Sequence, residues 1–367
     1  MSEWKKTYLR DLIVIKNGKD HKKLKNGPYP VYGSGGIMRY ADSYLYDQES
    51  VLLPRKGTLN NIQFVTEPFW TVDTCYYTVV NRDKVLPYFL YCCLCKMDIQ
   101  SLNTGSAVPS MTFEKYYSIE VPIPPLSTQH CIANILSRYD SLIENYQKQI
   151  KLLEEAAQRL YKEWFVDLHF PGHENTKIVD GVPEGWEKKK LHEIAEVVMG
   201  SSPKSEFYNN DKQGLPFHQG VGSYGTRFVD DNVYSTSITR LAEPNSILFS
   251  VRAPVGRLNI TKNKIIIGRG LAAMNHKDGF QSFLFYMLKE RFFMDNIIGN
   301  GSIFASISKV ELLDQEFIVP PMKTIKAFES LASKLDKKIQ GVDTQLHLLT
   351  EARDRLLPKL MSGEITI

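Results

Sequence analysis

The stretch LLEEAAQRL at residues 152–160 returns as LLTEARDRL at residues 348–356. Leu152, Leu153, Glu155, Ala156, Arg159 and Leu160 come back as Leu348, Leu349, Glu351, Ala352, Arg355 and Leu356, each 196 positions on. Both copies lie in long heptad patterns. In the first, Ile132, Tyr139, Tyr146, Leu153 and Leu160 stand seven apart, and Leu136, Ile143, Ile150, Ala157 and Trp164 sit four further on. In the second, Phe328, Leu335, Val342, Leu349 and Leu356 are joined by Ala332, Ile339, Leu346, Arg353 and Leu360, with Arg353 alone breaking the apolar run. Apolar a and d positions sustained this long predict a helix with one buried seam. About 40 helical residues reach about 60 Å, so each helix alone would expose an apolar stripe along its whole length. Two such stripes in one chain bury each other. The offset, 28 × 7, also preserves heptad register. An antiparallel pair needs no chain crossover and is the expected arrangement; a parallel pair, or a four-helix assembly with another chain, are the alternatives.

The repeat extends beyond the helices. Pro124-Pro125 returns as Pro320-Pro321, Thr128 as Thr324, Gly105-Ser106 as Gly301-Ser302, Ser110 as Ser306 and Phe89 as Phe285. Near the start of each half the offset is 182: Trp4, Leu9 and Gly18 align with Trp186, Leu191 and Gly200. The difference of 14 places an insertion in the second half between about residues 200 and 246. Matches at one offset over this length are the mark of internal duplication. Each half opens with short alternating stretches such as QFVTEPF, YYTVV and KIIIG, which read as strands between Gly, Asn and Pro turns. Helices are expected around LPYFLYCCLCKM and GFQSFLFYMLKERFF. A Pro-Pro stop and a Thr N-cap then lead into the long helix.

The fold class is therefore α+β: two pseudo-symmetric globular domains separated by two long antiparallel coiled-coil helices. The boundaries are 1–125 for the first domain, 126–168 for its helix, 169–185 for a linker, 186–321 for the second domain and 322–360 for the second helix. Residues 361–367 form a tail returning to the first domain. The expected shape is a dumbbell with one domain at each end of a rod.

Charge narrows the partners only slightly. Overall, 45 basic residues face 41 acidic ones, but residues 1–65 hold eleven Lys/Arg against six Asp/Glu, and residues 186–265 hold eleven against eight. A basic start to each half is a faint polyanion footprint, or else a solvated lysine surface. The five cysteines include Cys92, Cys93 and Cys95 in an apolar YCCLC run, a spacing without the second cluster that zinc needs. These read as buried, inert thiols. The opening MSEWKKTYLR has no apolar signal region, and no run approaches a membrane span. A reducing cytoplasm is the expected compartment.

Catalytic signatures are missing. There is no P-loop, no H-E-x-x-H and no acidic or amide residue before either Pro-Pro pair; YGSGGIM at residues 32–38 lacks G-x-G-x-x-G spacing and reads as a turn. The chain is expected to be no enzyme and to carry no metal or cofactor of its own. Two similar heads on a rod of this length suit instead the reading of two short DNA half-sites across an unread gap. In the first head, Arg55 and Lys56 suit phosphate or guanine, and Asn60, Asn61 and Gln63 suit adenine edges. In the second, Arg252, Arg257, Asn259 and Lys262 take those parts. Arg39 and Arg227 follow glycine-rich loops. Ser106 and Ser302 lie in NTGSAVPS and GNGSIFAS, loops suited to phosphate. Each of these is otherwise a hydrophilic loop residue.

The duplicated helix with its Pro-Pro lead, VPIPPLSTQHCIANIL after the first domain, and RLLPKLMSGEI at the end resemble the specificity (S) subunit of Type I restriction–modification systems. The resemblance covers essentially the whole chain. It implies two target recognition domains, a helical spacer that docks two methyltransferase (M) subunits, and restriction (R) subunits beyond them, all acting on double-stranded DNA. It also implies that S-adenosylmethionine, ATP and Mg belong to those partners. The seam residues Ile132, Tyr139, Tyr146, Leu153, Leu160, Leu335, Val342, Leu349 and Leu356 then serve the spacer. A protein-binding scaffold and the recognition subunit of a split Type II enzyme are the other readings.

Overall fold

The computed structural model describes residues 4–105, 108–292 and 306–365. The chain forms two compact units, residues 1–146 with 345–367, and residues 147–344. Both long helices contribute to both units.

In the first unit the strands are β1 (Lys5–Tyr8), β2 (Ile13–Lys16), β3 (Tyr29–Gly33), β4 (Gly36–Ala41), β5 (Ser50–Pro54), β6 (Gln63–Val65), β7 (Trp70–Thr71), β8 (Cys75–Val80) and β9 (Glu120–Ile123). They form sheets in the orders β2-β8-β5-β6, β4-β3-β7 and β1-β9. Strand β5, SVLLP, is buried at all five positions because sheet neighbours flank it and α1 (Pro87–Cys95) covers it. That burial is why it reads as a continuous apolar run rather than an alternating one. Cys92 and Cys93 of α1 are buried and Cys95 is exposed. Burial pushes the Cys92 thiol up to about 12. After α2 (Phe113–Tyr117), the chain enters α3, Leu126–Phe165.

The second unit repeats the plan with β10 (Ile178–Val179), β11 (Val182–Pro183), β12 (Glu187–Lys190), α4 (Leu191–Ile194), β13 (Ala195–Met199), β14 (Tyr208–Asn209), β15 (Leu215–His218) and β16 (Tyr234–Ser235). It continues with β17 (Leu241–Ala242), β18 (Ile247–Ser250), β19 (Leu258–Ile260), β20 (Ile265–Ile267), β21 (Leu271–His276), α5 (Gln281–Phe292), α6 (Lys309–Leu313), β22 (Glu316–Val319) and α7 (Met322–Ser362). Its sheet β13-β21-β18-β19 matches β2-β8-β5-β6 of the first unit, and β12-β22 matches β1-β9. Strand β15 runs parallel to β20 with Phe217 opposite Ile266, as β3 runs parallel to β7 with Val31 opposite Trp70. The insertion is thereby located. β3 and β4 are joined by two residues, whereas β15 and β16 are joined by residues 219–233.

Both long helices begin directly after their Pro-Pro pair, at Leu126 and Met322. Thr128 and Thr324 fall inside the first turn, which corrects the N-cap expectation. Pro125 and Pro321 stand just before the helices, and their carbonyls accept from the Gln129 and Ile325 amides, so each proline opens the first helical turn without needing an N–H of its own. Within each unit the two helices run antiparallel. In the first, Ile132 and Leu136 share a core with Leu360 and Met361, and Arg353 pairs with Asp140. In the second, Trp164 and Tyr161 pack on Phe328. Leu136, Ile143, Ile150, Ala157 and Trp164 are all buried, as are Ala332, Ile339, Val342 and Leu360. Of the other series Ile132 is buried, while Tyr139, Tyr146, Leu153, Leu160, Leu335, Leu349 and Leu356 are half-buried. Gly363 lies against the Trp4 ring in the first unit.

One polar arrangement recurs around an aspartate at the repeat offset. Asp140 accepts the Tyr88 hydroxyl at 2.5 Å and the Arg353 guanidinium at 3.0 Å. Asp336, 196 residues on, accepts the Tyr286 hydroxyl at 2.8 Å and the Arg227 guanidinium at 2.6 Å. Each tyrosine comes from the buried helix of its own domain, α1 or α5. Arg353 thus breaks the heptad seam because it serves Asp140, whereas in the second unit the inserted segment supplies the cation.

Candidate nucleic-acid interface

Each unit gathers loops at one end of its four-stranded sheet. In the first unit β5 runs out into Arg55, Lys56 and Gly57. The Arg55 amide donates to the Thr74 carbonyl, its guanidinium donates to the Asp73 carbonyl at 3.3 Å, and the Met111 amide donates back to Arg55. Lys56 bridges Ser110 across an antiparallel contact, and its side chain is exposed. Asn103 fastens the same loop by accepting from the Gly105 and Ser110 amides, both at 2.8 Å. Asn61 Nδ2 donates to the Ser34 carbonyl at 2.8 Å and Gln63 Nε2 to the Gly33 carbonyl at 3.2 Å. Arg55, Lys56, Asn61, Gln63 and the YGSGGIM turn therefore form one cluster.

The second unit reproduces the frame with other residues. Arg252 bridges Ser306 as Lys56 bridges Ser110, at the same offset of 196. The Ile307 amide donates to Val251 as Met111 does to Arg55. A Cβ on Gly200 would collide with the Gly268 carbonyl, and one on Gly18 with the Val72 carbonyl, so both halves need glycine at this close approach. Beside Arg252, Gly268-Arg269-Gly270 folds over Gln219. Ser202 Oγ donates to Gln219 Oε1 at 2.6 Å and accepts from the Arg269 amide at 3.2 Å. Arg240 joins the same edge, its carbonyl accepting from the Ile267 amide. The side chains of Arg240, Arg252 and Arg269 are exposed. His218, buried, ties the inserted segment down through Ser223 Oγ at 2.8 Å and Asp231 Oδ1 at 2.9 Å. Burial pushes the Asp231 carboxyl up, but hydrogen bonds from His218 and Asn263 outweigh it and hold the group below the usual carboxylate range.

Several residues expected to read DNA have other work. Arg227 is only 2 % exposed. Its guanidinium stacks 3.6 Å above the Phe285 ring and binds Asp336 at 2.6 Å and Glu154 at 3.5 Å. An isolated cation that deep would be prohibitive; this one is paired on both long helices and cannot reach DNA. Asn259 is buried and donates to the Gly225 carbonyl. Lys262 binds Asp343 of α7 at 2.5 Å. Arg39 spends its guanidinium on the carbonyls of Leu24 and Lys25, at 2.8 and 3.1 Å. Asn60 uses both ends of its amide on the turn at Asp98 and Gln100. Arg227 and Asn259 are buried braces, while Lys262, Arg39 and Asn60 are engaged with their own chain. Arg257 is half-buried where β19 follows β18. Ser106 and Ser302 lie outside the described residues.

Sequence reasoning passed over Arg240, Arg269, Gln219 and Ser202. The available signal was GRG between the apolar runs KIII and LAAM, since glycines on both sides of a cation allow close backbone approach.

Three comparisons bear on the chain. A family model described as Type I restriction modification DNA specificity domain matches residues 1–155 and again 183–346. A putative type I restriction enzyme MjaX specificity subunit from Methanocaldococcus jannaschii is 31% identical over 297 residues, 78% of this chain and 70% of that protein. The type I restriction enzyme MjaIX specificity subunit of the same organism is 28% identical over 346 residues, 88% of this chain and 79% of that protein. A crystal structure of a Type-I restriction-modification system S subunit from M. genitalium aligns with a TM-score of 0.66 at 18% identity, covering 98% of this chain and 96% of that one. At that identity the alignment speaks for the fold alone.

Proposed function

We propose, starting from the fact that this chain belongs to the Type I restriction–modification DNA specificity family, that it is the DNA-sequence-reading subunit of such a system. Each unit reads one short half-site of an asymmetric bipartite target on double-stranded DNA. The outer faces of the long helices dock two methyltransferase subunits, and restriction subunits join that complex. The chain itself is not catalytic; S-adenosylmethionine, ATP and Mg bind its partners. The complex works in the cytoplasm; among the described residues, no helix is long and apolar enough to cross a membrane.

The observation that carries this reading is the matched pair of loop clusters, Lys56 against Ser110 and Arg252 against Ser306. The frame is duplicated while its exposed side chains differ. A duplicated frame with unlike readers suits a target of two unlike halves. The direct test is to express the chain with its cognate adenine methyltransferase and map methylated adenines genome-wide. A bipartite motif with a fixed gap is expected. Exchanging residues 5–125 should replace one half of the motif and exchanging residues 186–318 the other. A complex that forms yet methylates no defined motif overturns the reading.

Single substitutions sort the contacts. Lys56→Ala, as a phosphate contact, should weaken binding evenly across sequences and reduce the salt slope by about one. Arg252→Ala, as a base contact, should relax one position of the second half-site by about 1–3 kcal/mol. Titrations of matched and mismatched duplexes at several salt concentrations measure both. An unchanged slope for Lys56→Ala removes it from the interface.

A further inference from the structure

The turn YGSGGIM is the part of the sequence that the loop clusters only half absorb. It caps the β3–β4 hairpin, a ribbon that projects from the sheet β4-β3-β7 beyond the β7 pairing at Val31 and Tyr32. In the second unit β15 and β16 pair in the corresponding place, but residues 219–233 replace the tight connection. Pairing along the ribbon skips a residue: Val31 faces Arg39, but Tyr32 faces Ile37. Met38 is the extra residue of a β-bulge. A regular strand would send two consecutive side chains to opposite faces; a bulge re-aims them. Here Ile37 is 49% and Met38 57% exposed, followed by Tyr40 at 51%. Three large apolar side chains in water on one short ribbon need an explanation that a solitary surface leucine does not.

Two features identify what covers them. The tip is held rigidly by the Asn61 and Gln63 amides, which grip the turn carbonyls, with exposed Lys56 alongside. The flank is the exposed loop of Lys22, Lys23 and Lys25, clasped to the ribbon by Arg39 through the Leu24 and Lys25 carbonyls. Exposed apolar side chains with exposed lysines near them match a surface with apolar groups sunk between rows of phosphates. The DNA major groove is such a surface. It admits a two-stranded β-ribbon, and its apolar groups are the C5-methyls of thymine.

We propose that the β3–β4 ribbon enters the major groove of the first half-site, that Ile37 and Met38 read thymine methyl groups there, and that the Lys22–Lys25 loop holds the flanking backbone. This rests on the reading of the chain as a DNA-specificity subunit. The bulge then has a purpose: it points two neighbouring apolar residues at the same groove floor.

The experiment uses the complex with its methyltransferase and duplexes carrying the mapped target. Each thymine of either half-site, on either strand, is replaced in turn by deoxyuridine, which removes only the methyl group. At one or two thymines of the first half-site, affinity should fall about fourfold per methyl, the worth of one buried methyl group. The double variant Ile37→Ser with Met38→Ser should bind both duplexes alike at those positions. Its base preference in the second half-site should be unchanged, which also shows that the variant is folded. Affinity that ignores deoxyuridine throughout the first half-site overturns the proposal. So does a first half-site without thymine on either strand, or a deoxyuridine effect that survives in the double variant. Failure of the wild-type complex to select any bipartite sequence would instead count against the specificity-subunit reading itself.

Discussion

Replacing Arg227 with methionine is expected to destabilise residues 147–344 by about 3–5 kcal/mol, the usual cost of removing one partner from a buried charge set. Arg227 sits at the centre of that set. It pairs with Asp336 and Glu154, lies over Phe285, and shares Asp336 with the Tyr286 hydroxyl. Lys289 is near enough that Glu154 and Arg227 both act on it, and burial lowers its ammonium pKa, so it is a poor substitute cation. Methionine keeps most of the volume, so the loss reports charge rather than a cavity. Denaturant-dependent hydrogen exchange, resolved by peptide, is the measurement, because it confines the effect to the unit that holds the network. Coupling with Asp336→Asn in a double-mutant cycle should be well above the value near zero expected of independent sites. Unchanged exchange with weaker DNA binding would return Arg227 to the interface and refute its role as a brace.

The same residue marks the limit of what the sequence discloses. Arg227 follows a glycine-rich loop in a basic segment, which locally is the description of a phosphate contact. Its partners lie 73 and 109 residues away, on the two long helices. Nothing in the local pattern points to them. Lys262 with Asp343 and Arg39 with the carbonyls of Leu24 and Lys25 are concealed in the same way. The helices were legible because a seven-residue period is a local signal that a sheet or loop does not imitate. The duplication was legible because its matches hold one offset over the whole half. Even the bridge between Arg252 and Ser306 follows from that between Lys56 and Ser110 by adding 196. The ribbon falls between these cases. Its turn is readable in SGG, but the bulge depends on cross-strand pairing, which decides that Ile37 and Met38 both face water.

Heptad position also did not settle how much each seam residue contributes, and here a second large effect is expected. Phe328→Ala should cost about 3–5 kcal/mol, within the range for removing a fully buried aromatic side chain. Its ring is entirely buried and meets Tyr161, Trp164, Phe165, Phe283 and Tyr286 at centroid distances of 5.8, 6.0, 5.1, 6.3 and 6.3 Å. Those five rings come from α3 and α5, so Phe328 joins the helix pair to the core of its domain. Edge-on aromatic contacts add to the area term, and a cavity lined by stiff rings collapses poorly. Phe328→Leu, which fills part of the space, should lose less than half as much. Leu348, also in the repeated stretch, provides the contrast: it is 61% exposed, and Leu348→Ala should change stability by under about 0.5 kcal/mol. The three variants can be compared by the same exchange measurement. Equal losses for Phe328→Ala and Leu348→Ala would mean that the sequence repeat, and not this aromatic junction, governs how the helices are held. A loss confined to Phe328 places the stability of the second unit where α3, α5 and α7 meet.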